Sequence, residues 1–385
     1  MKIVHVCLNG PVTDGFLYQD NLLPKYHKKS GHNVTVITSK YVYNDSGIIT
    51  LDERNTYENE YGIKTIRLPL KRGKNLFSKF KTFHLLDESL TSEKPDLLFV
   101  HSFQFCDYRR ILKYKIKHPK TRLIVDNHAD DYNSAKNILS KTFLHKFIWR
   151  NLVKKSLKYV DVFFGVTPSR VDFMNKLYHI PPSKTKLLVM GADDDLVNQI
   201  LSQDTYDTER LKQGFTKTDF VLVFGGKIDS KKEAILELMA SVNSLASSGN
   251  IKLVLFGSVS QDIKDKFSSL VSEQVVYLGW KNAIESMSLF AMADLVIFPT
   301  LHSVFWEQAV ALKKPLLIRY IKGYEHLNHG HNVQYLYQCH QEEITTRLIE
   351  ITTDTTQYQK MLRSAQSRLS RDFLYSNIAK TSLKI

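Results

Sequence analysis

Two glycines and three lysines follow an apolar run in the middle of the chain, in the sequence FGGKIDSKKE at residues 224–233. Glycine lets a ligand approach the backbone closely, and the free amide groups at the start of a helix attract anions. Gly226, Lys227 and Lys232 are therefore candidates for binding a diphosphate. An ordinary turn from a strand to a helix, with solvated lysines, explains the same ten residues equally well.

Two further glycine turns follow the next two apolar runs: Gly257 and Ser258 in VLFGSVS, and Gly279 and Trp280 in VVYLGW. Ligands of open parallel sheets bind at the carboxyl ends of the strands, so three consecutive turns of this kind predict the rim of a nucleotide site. Trp280 could pack near the base, although a core or interdomain aromatic residue fits as well.

Glu307 follows the predicted strand Leu295–Phe298 at the same rim. Ser303 is predicted to be the N-cap of a helix Val304–Leu312, which places Glu307 near the end that faces the site. Its carboxylate could accept two hydrogen bonds from ribose hydroxyl groups. The alternative is an acid that only stabilises the helix dipole, a contribution of about 0.3–1 kcal/mol.

In the first half of the chain, LIVDNHADDY at residues 123–132 carries a histidine among carboxylates after a predicted strand. Such a histidine can transfer a proton or orient a hydroxyl group near neutral pH. His128 is the first candidate, and His101 in LLFVHS is the second. A structural role explains either residue as well. The carboxylates of this segment are Asp126, Asp130 and Asp131.

Two other segments could hold an anion or a cation. Gly10 and Gly15 flank the turn after the first predicted strand, with Asp14 and Gln19 beside them, and a glycine pair there is weak evidence for a phosphate site. The run Asp193–Asp195 suggests a metal, but a capped turn is the better interpretation.

These candidates need parallel strands to bring them together. Short runs of valine, isoleucine and leucine alternate with amphipathic helix patterns from Lys2 to Met190, and the alternation resumes from Phe220 to Ile318. This pattern predicts an α/β protein with two Rossmann-like, doubly wound domains that face a cleft. The predicted domains are residues 1–190 joined by a C-terminal helix 374–385, a linker 191–215, and residues 216–373.

Composition narrows the function further. The chain of 385 residues has a net charge of +14, and residues 1–190 carry all of the excess. A basic half can face nucleic acid, an anionic membrane or a phosphorylated ligand. There is no apolar run long enough to span a bilayer, and three scattered cysteines argue against a disulfide framework or a zinc site. We therefore expect a cytoplasmic protein.

The order of the glycine and lysine turns, together with WEQAVALKKPLLI at 306–318, resembles the donor-binding domain of retaining GT-B glycosyltransferases of the family 4 type. The segment YQDNLLPKYHKKSGHNVTVIT at 18–38 resembles the acceptor-side domain of members that assemble capsules and other surface polysaccharides. The resemblance implies a nucleotide-sugar substrate, linked to UDP or GDP, and no cofactor or metal. It covers nearly the whole chain.

By this resemblance, Lys227 and Lys232 grip the donor diphosphate, Glu307 holds the ribose, Gly15 meets the donor phosphates and His128 lies close to the reacting centre. Lys227 replaces the family's usual arginine. The compact ammonium group of lysine therefore replaces a planar guanidinium group, which can donate two parallel hydrogen bonds. The first glutamate of the family's E-x7-E motif is absent, because Pro299 stands in its place. His302 or Ser303 could serve the donor sugar instead.

Two basic segments also contain aromatic residues. Residues 132–159 contain seven lysines and arginines and no acid, and residues 67–86 are similar. Such stretches are typical of the interface of an anionic membrane, where a polyprenyl-diphosphate acceptor would reside. A core-facing helix with solvated lysines is the alternative, and nucleic acid ranks below both because no binding motif is present.

The sequence thus predicts a retaining glycosyltransferase that acts on a saccharide or lipid-linked acceptor at the inner face of the membrane. A sugar-nucleotide epimerase of the same architecture would keep the nucleotide site. A non-catalytic GT-B-like subunit that partners an active transferase would explain the missing glutamate. A nucleic-acid-binding protein would explain the charge.

Overall fold

The computed structural model describes residues 1–384 with the exception of 45–46, 73–79, 131–133, 135–139, 204, 231–232 and 248–249, and gives only the backbone of 140–142. The chain divides into two compact units. The first contains Met1–Met190 together with Ile378–Ile385, and the second contains Gly191–Asn377. Among the described residues, no helix combines the length and the apolar character that crossing a membrane requires.

The first unit is built on an eight-stranded sheet. Its strands are β1 Lys2–Cys7, β2 Asn33–Ser39, β5 Thr56–Glu58, β6 Lys64–Leu68, β9 Leu97–His101, β10 Arg122–Asn127, β11 Val162–Gly165 and β12 Thr185–Leu187. Their order is β12-β11-β10-β9-β1-β2-β6-β5, and every neighbouring pair is parallel except β5 and β6. Two short antiparallel pairs complete the strands: β3 Tyr41–Tyr43 with β4 Ile49–Leu51, and β7 Leu70–Arg72 with β8 Thr82–Phe83.

Helices connect these strands, as parallel pairing requires. They are α1 Gln19–Lys29, α2 Leu86–Glu93, α3 Tyr108–Lys117, a π-helix Ser140–Trp149, α4 Arg150–Ser156 and α5 Pro168–Leu177. The last helix of the chain, α14 Tyr375–Leu383, enters the first unit at Ile378.

The second unit contains a six-stranded sheet in which all neighbours are parallel. Its strands are β13 Phe220–Gly225, β14 Ile251–Phe256, β15 Val275–Tyr277, β16 Leu295–Phe298, β17 Leu316–Arg319 and β18 Val333–Leu336, in the order β15-β14-β13-β16-β17-β18. Its helices are α6 Asp194–Ser202, α7 Thr205–Lys212, α8 Ala234–Ser244, α9 Lys264–Ser269, α10 Ala283–Met292, α11 Phe305–Ala311, α12 Gln341–Thr353 and α13 Thr355–Ala365.

Continuous burial explains why the sequence forms these strands. A parallel sheet is covered on both faces, so its strands are apolar along their whole length. All five residues of β9 are buried, and β1 is buried from Ile3 to Cys7. His5 in β1 is an exception in residue type, since it is polar and 0% exposed.

The segment 191–215, predicted to be a linker, contains two helices of the second unit, α6 and α7, and both pack against α10. Only Leu196, Val197 and Ile200 of α6 are buried. The apolar residues Leu196, Val197, Ile200 and Leu201 do have helical spacing, but over little more than one turn, so the sequence analysis missed this helix.

Candidate functional site

The glycine turns of the second unit form a continuous rim at the carboxyl edge of its sheet. Gly226 donates its N–H to the carbonyl of Phe256 at 3.0 Å, and Gly257 donates to the carbonyl of Gly279 at 2.8 Å. The turns after β13 and β14 are joined again where Ile228 donates to Ser258 at 2.8 Å. The predicted arrangement of three glycine turns along one edge is present.

Close packing of the backbone accounts for two of these glycines. Gly226 has φ +128° and Gly257 has φ +123°, which is the region that favours glycine. A Cβ atom on Gly257 would lie 2.0 Å from the carbonyl oxygen of Gly226. The glycines therefore have a structural role in addition to any contact with a ligand.

Lys227 projects from this rim. Its side chain is 66% exposed, and its Nζ lies 3.6 Å from a carboxylate oxygen of Asp229. An exposed, weakly paired ammonium is free to move to an anion. Lys232, the other predicted diphosphate ligand, lies outside the described residues. Trp280 is also on the rim, after β15, and its side chain is 67% exposed, so it is not a core residue.

Helix α11 begins one residue later than predicted. It spans Phe305–Ala311, and Val304 rather than Ser303 occupies the N-cap position. Ser303 still serves the start of the helix, because its hydroxyl accepts a hydrogen bond from the N–H of Phe305 at 3.4 Å and its carbonyl accepts one from Trp306 at 3.0 Å. The shift leaves Glu307 in the first turn of α11.

Glu307 is 0% exposed, and two histidines contact its carboxylate. Nε2 of His302 lies 2.8 Å from Oε1 and 3.0 Å from Oε2 of Glu307, and Nε2 of His326 lies 3.5 Å from Oε1. His302 also packs against the rings of Trp306 and Tyr324, with ring centroids 5.2 Å and 4.6 Å apart. The predicted ribose ligand is thus covered by a histidine in this structure.

These histidines decide the charge of Glu307. Burial raises the pKa of its carboxyl group, but His302 and then His326 outweigh burial and lower the pKa to about 2. Glu307 is therefore ionised at neutral pH despite its burial. His326 could not be identified from the sequence, because it lies 19 positions after Glu307 in a short 3-10 helix, Glu325–Leu327.

In the first unit, Asp126 is the centre of the predicted histidine and carboxylate cluster. Parallel pairing sets Asp126 opposite His101, at the carboxyl ends of β10 and β9. Nδ1 of His101 lies 3.0 Å from Oδ2 of Asp126, and Nε2 of His128 lies 3.4 Å from Oδ1. The same carboxylate accepts hydrogen bonds from the backbone N–H of Ser102 at 2.9 Å and from Nε2 of Gln19 at 3.1 Å.

The members of this cluster differ in exposure. Asp126 is 0% exposed and His101 is 3% exposed, whereas the side chain of His128 is 33% exposed. A ligand can therefore reach His128 directly, whereas the buried Asp126 and His101 can affect a ligand only through His128. Asp20 of α1, which the sequence analysis missed, adds a second carboxylate 3.2 Å from Nδ1 of His101.

Charge pairing sets the protonation of this cluster. Burial raises the pKa of Asp126, but His128 and His101 outweigh it and hold the pKa well below its usual range. Burial lowers the pKa of His101, but Asp126 and Asp20 outweigh it and raise the pKa above 6.5. An ionised Asp126 can thus orient His128 and stabilise a positive charge on its ring.

The loop that contains Gly15 is already bonded within the first unit. Gly15 has φ +79°, and its N–H donates to a carboxylate oxygen of Glu60 at 2.7 Å. Asp14 accepts hydrogen bonds from the hydroxyl of Tyr57 and from Nη2 of Arg54, each at 2.9 Å. A donor phosphate could reach the amide of Gly15 only if Glu60 withdrew.

Other predicted residues have structural roles. Asp193 is the N-cap of α6, and its carboxylate accepts from the N–H of Asp195 at 3.2 Å, so the capped turn is confirmed. Asp130 pairs with Nε of Arg170 at 3.0 Å. Asp131 lies outside the described residues. The side-chain nitrogen and oxygen atoms of His101, Asp126 and His128 lie within 4.8 Å of one another.

The basic segments are only partly exposed. Phe143, Lys146 and Phe147 of the π-helix lie on the surface, with 56% exposure for Phe143 and 60% for Phe147. In contrast, Arg67 and Lys81 of the segment 67–86 are 2% and 1% exposed. Lys81 donates to the carbonyl of Asn9 at 2.7 Å, so these two cations hold the first unit together.

Comparisons with known proteins agree with the fold and with the resemblance in sequence. Residues 22–196 match the family described as Glycosyltransferase Family 4. An uncharacterised glycosyltransferase of Methanocaldococcus jannaschii is 22% identical over 229 residues, which cover 57% of this chain and 58% of that protein. The alignment therefore spans less than two thirds of that relative.

Two solved structures are similar over nearly the whole chain. A glycosyltransferase from Rickettsia africae has a TM-score of 0.70 at 14% identity, with 100% of this chain and 97% of that chain covered. The Anabaena protein Alr3699/HepE in complex with UDP has a TM-score of 0.67 at 15% identity, with 99% and 98% covered. Residues 22–196 are thus similar to Glycosyltransferase Family 4, and the fold is that of GT-B glycosyltransferase structures, with two Rossmann-like domains.

Proposed function

We propose that this protein is a glycosyltransferase that moves a sugar from a nucleotide-sugar to a saccharide acceptor. The observation that carries the proposal is the joined rim of the second unit, where the turns after β13, β14 and β15 present Lys227 and Trp280 beside glycine backbone. A nucleotide diphosphate needs such a combination of cation, close backbone and aromatic surface. The UDP complex of the Anabaena protein supports a nucleotide donor.

In this proposal, Lys227, together with Lys232, stabilises the charge that develops on the leaving diphosphate. Stabilising charge on the leaving group is the main demand of such a transfer. No cofactor and no metal take part, since the lysines supply the positive charge. UDP or GDP is the expected leaving group.

Glu307 acts through His302 in the structure described here. His302 follows β16, its Nε2 lies 2.8 Å from a carboxylate oxygen of Glu307, and its side chain is 8% exposed. We infer that His302 takes the place of the missing first glutamate and contacts the donor sugar. Glu307 then reaches the ribose only if the imidazole turns away, and otherwise holds His302 in place.

His128 is the proposed partner of the reacting hydroxyl group in the first unit, because it is the exposed member of the Asp126 cluster. Retention of anomeric configuration is proposed from the family resemblance. The acceptor is proposed to be lipid-linked and to belong to surface polysaccharide assembly. The exposed Phe143 and Phe147, with Lys146 between them, would contact an anionic membrane from its inner face.

Product analysis tests this function. The purified protein is incubated with UDP- and GDP-sugars, with and without a lipid-linked oligosaccharide, and the products are identified by mass spectrometry and NMR. Transfer that requires the acceptor supports the proposal. Conversion of the nucleotide-sugar without an acceptor would indicate an epimerase instead, and binding without turnover of any donor would indicate a non-catalytic partner subunit.

A further inference from the structure

A row of buried side chains connects Asp126 to the last helix of the chain. Nε2 of His101 lies 2.9 Å from Nδ1 of His5, and Nε2 of His5 lies 3.0 Å from Nδ1 of His27. Nε2 of His27 then lies 2.8 Å from the hydroxyl oxygen of Ser382 in α14. The row crosses from the carboxyl edge of the sheet through β1 and α1 to the C-terminal helix.

This row lies deep in the first unit. His5, His27 and Ser382 are 0% exposed, and Phe99 stacks on the ring of His5 with centroids 5.3 Å apart. An unpaired polar group costs free energy in such surroundings, so buried polar networks are stable only when each member has a partner. Both nitrogens of His5 and both nitrogens of His27 have a neighbour in the row or in α14.

The contact with α14 fixes the direction of the hydrogen bonds. The hydroxyl of Ser382 donates to the carbonyl of Ala379 at 2.8 Å, which leaves its oxygen to accept from His27. Nε2 of His27 also lies 3.3 Å from the same carbonyl, which can only accept. Nε2 of His27 therefore carries its hydrogen.

The hydrogen on Nε2 of His27 determines where the ring hydrogens of His5 and His101 lie. Burial lowers the pKa of His5 well below its ordinary value and that of His27 to about 3, so both rings are neutral and carry one hydrogen each. Because Nε2 of His27 has the hydrogen, its Nδ1 accepts from Nε2 of His5, and Nδ1 of His5 accepts from Nε2 of His101. Nδ1 of His101 faces Asp126 and Asp20, which are acceptors only when ionised, so His101 carries two hydrogens.

We propose that His5 and His27 are positioning residues that hold His101 in its doubly protonated form, so that His101 fixes the carboxylate of Asp126 behind His128. The catalytic consequence rests on the proposed function, but the arrangement of protons does not. Loss of the acceptor at His5 would let the ring of His101 turn or lose its proton. Asp126 would then orient His128 less well, with a loss of about 10- to 100-fold in kcat and no change in nucleotide binding.

Other ionisable groups near the row are Cys7 beside Asp20, His128 beside Asp126, and His32, whose ring lies 6.3 Å from that of His27. Burial, Asp20 and Asp126 raise the pKa of Cys7, so its thiol stays neutral. His32 and His128 are partly exposed, unlike the buried histidines of the row. Their NMR signals must therefore be assigned separately from those of the row.

The test combines NMR of the histidine rings with a pair of variants in the full chain. Long-range ¹⁵N correlation spectra of the imidazoles are recorded across pH for the wild type. In His5→Asn, the carboxamide oxygen can occupy the place of Nδ1 and still accept from His101, whereas His5→Leu has no acceptor. His118→Leu changes an exposed histidine outside the row and is the control.

We expect neutral rings with the hydrogen on Nε2 for His5 and His27, and a charged ring for His101 at neutral pH. His5→Leu should lower the pH at which His101 loses its proton and lower kcat, and His5→Asn should recover most of both effects at equal affinity for the nucleotide. Hydrogen on Nδ1 of His5 or His27 would overturn the proposal, as would equal kcat and equal His101 titration in the two variants. If the tautomers are as expected and the wild type transfers no sugar, the proposed function fails while the arrangement of protons stands.

Discussion

The carboxylate of Glu307 is completely buried and faces the ring of His302, with Nε2 of the histidine 2.8 Å from one oxygen and 3.0 Å from the other. This pair joins the loop after β16 to the first turn of α11. Breaking a buried ion pair by removing one partner is strongly destabilising, because the other charge stays buried without compensation. The pair therefore contributes to stability as well as to any ligand site.

Removal of either partner should reveal that coupling. We expect Glu307→Gln to lower the free energy of unfolding by about 3–5 kcal/mol. In a double-mutant cycle with His302→Asn, the two changes should be non-additive by about 0.5–3 kcal/mol. Urea unfolding of the four proteins provides the measurement, and additive losses would show that the pair is not coupled.

The same pair should make stability sensitive to acid. The pKa of Glu307 is lowered from 4.5 to about 2, so its stabilising contribution is complete above pH 4.5 and is lost as the pH falls toward 2. Denaturant unfolding at a series of pH values should show this loss in the wild type. A Glu307→Gln variant with the same slope between pH 4.5 and 2 as the wild type would contradict this assignment.

The buried histidines of the first unit should affect the free energy of unfolding at higher pH than Glu307 does. The pKa of His27 falls from 6.5 in the unfolded chain to about 3 in the fold, so the unfolded chain binds more protons between these values. Stability should therefore fall as the pH decreases from 6.5 toward 3, and His27→Gln should flatten that slope. The slope of the free energy of unfolding against pH is the quantity to compare, and His118→Leu should leave it unchanged.

Lys227 should affect diphosphate binding without affecting the fold, because its side chain is largely exposed. A hydrogen bond to a charged group contributes about 1.5–3 kcal/mol, so Lys227→Ala should weaken binding of the nucleoside diphosphate by about 10- to 100-fold. Calorimetric titration with a nucleoside diphosphate and its monophosphate separates the contribution of the second phosphate. The control is Lys217→Ala, an exposed lysine before the amino end of β13, and an equal loss in both variants would place the diphosphate elsewhere.

Phe143 and Phe147 should contribute to membrane binding. Burial of a phenylalanine contributes about 1.5–3 kcal/mol, so the double change to serine should reduce binding to anionic vesicles by at least about tenfold. Sedimentation with vesicles that contain phosphatidylglycerol provides the measurement. Leu211→Ser removes an even more exposed apolar residue, in the second unit, and should have no effect. Equal binding of all three proteins would contradict a membrane contact at the π-helix.

The sequence predicts most strands of both sheets, because buried parallel strands are continuous apolar runs. The strands β5 and β6 at one edge of the first sheet were not predicted. Strand β16 has the predicted bounds, Leu295–Phe298. Edge strand β18 was not predicted, since Gln334 and Tyr335 in Val333–Leu336 are only half-buried and interrupt the apolar run.

The candidate sites were less predictable, because burial of a polar side chain is a property of the fold. Local sequence predicts that Glu307 starts a helix, but not that His326, 19 positions later, lies 3.5 Å from it. His5 likewise resembles any strand residue until parallel pairing sets it beside Phe99 and brings His101 and His27 to its ring. The exposure of Lys227, in contrast, follows from its place in a turn, whereas that of Trp280 is known only from the structure.

The central claim is a nucleotide site on the rim of the second unit, and ligand-dependent thermal stability tests it most directly. The wild type, Lys227→Ala and Glu307→Ala are each heated with UDP, GDP, ADP, CMP and their common sugar conjugates. A ligand at about a hundred times its dissociation constant should add about 2.7 kcal/mol of stability. The account predicts that one nucleotide stabilises the wild type and stabilises each variant by about half as much or less. Stabilisation by no nucleotide, or equal stabilisation of all three proteins, would contradict it.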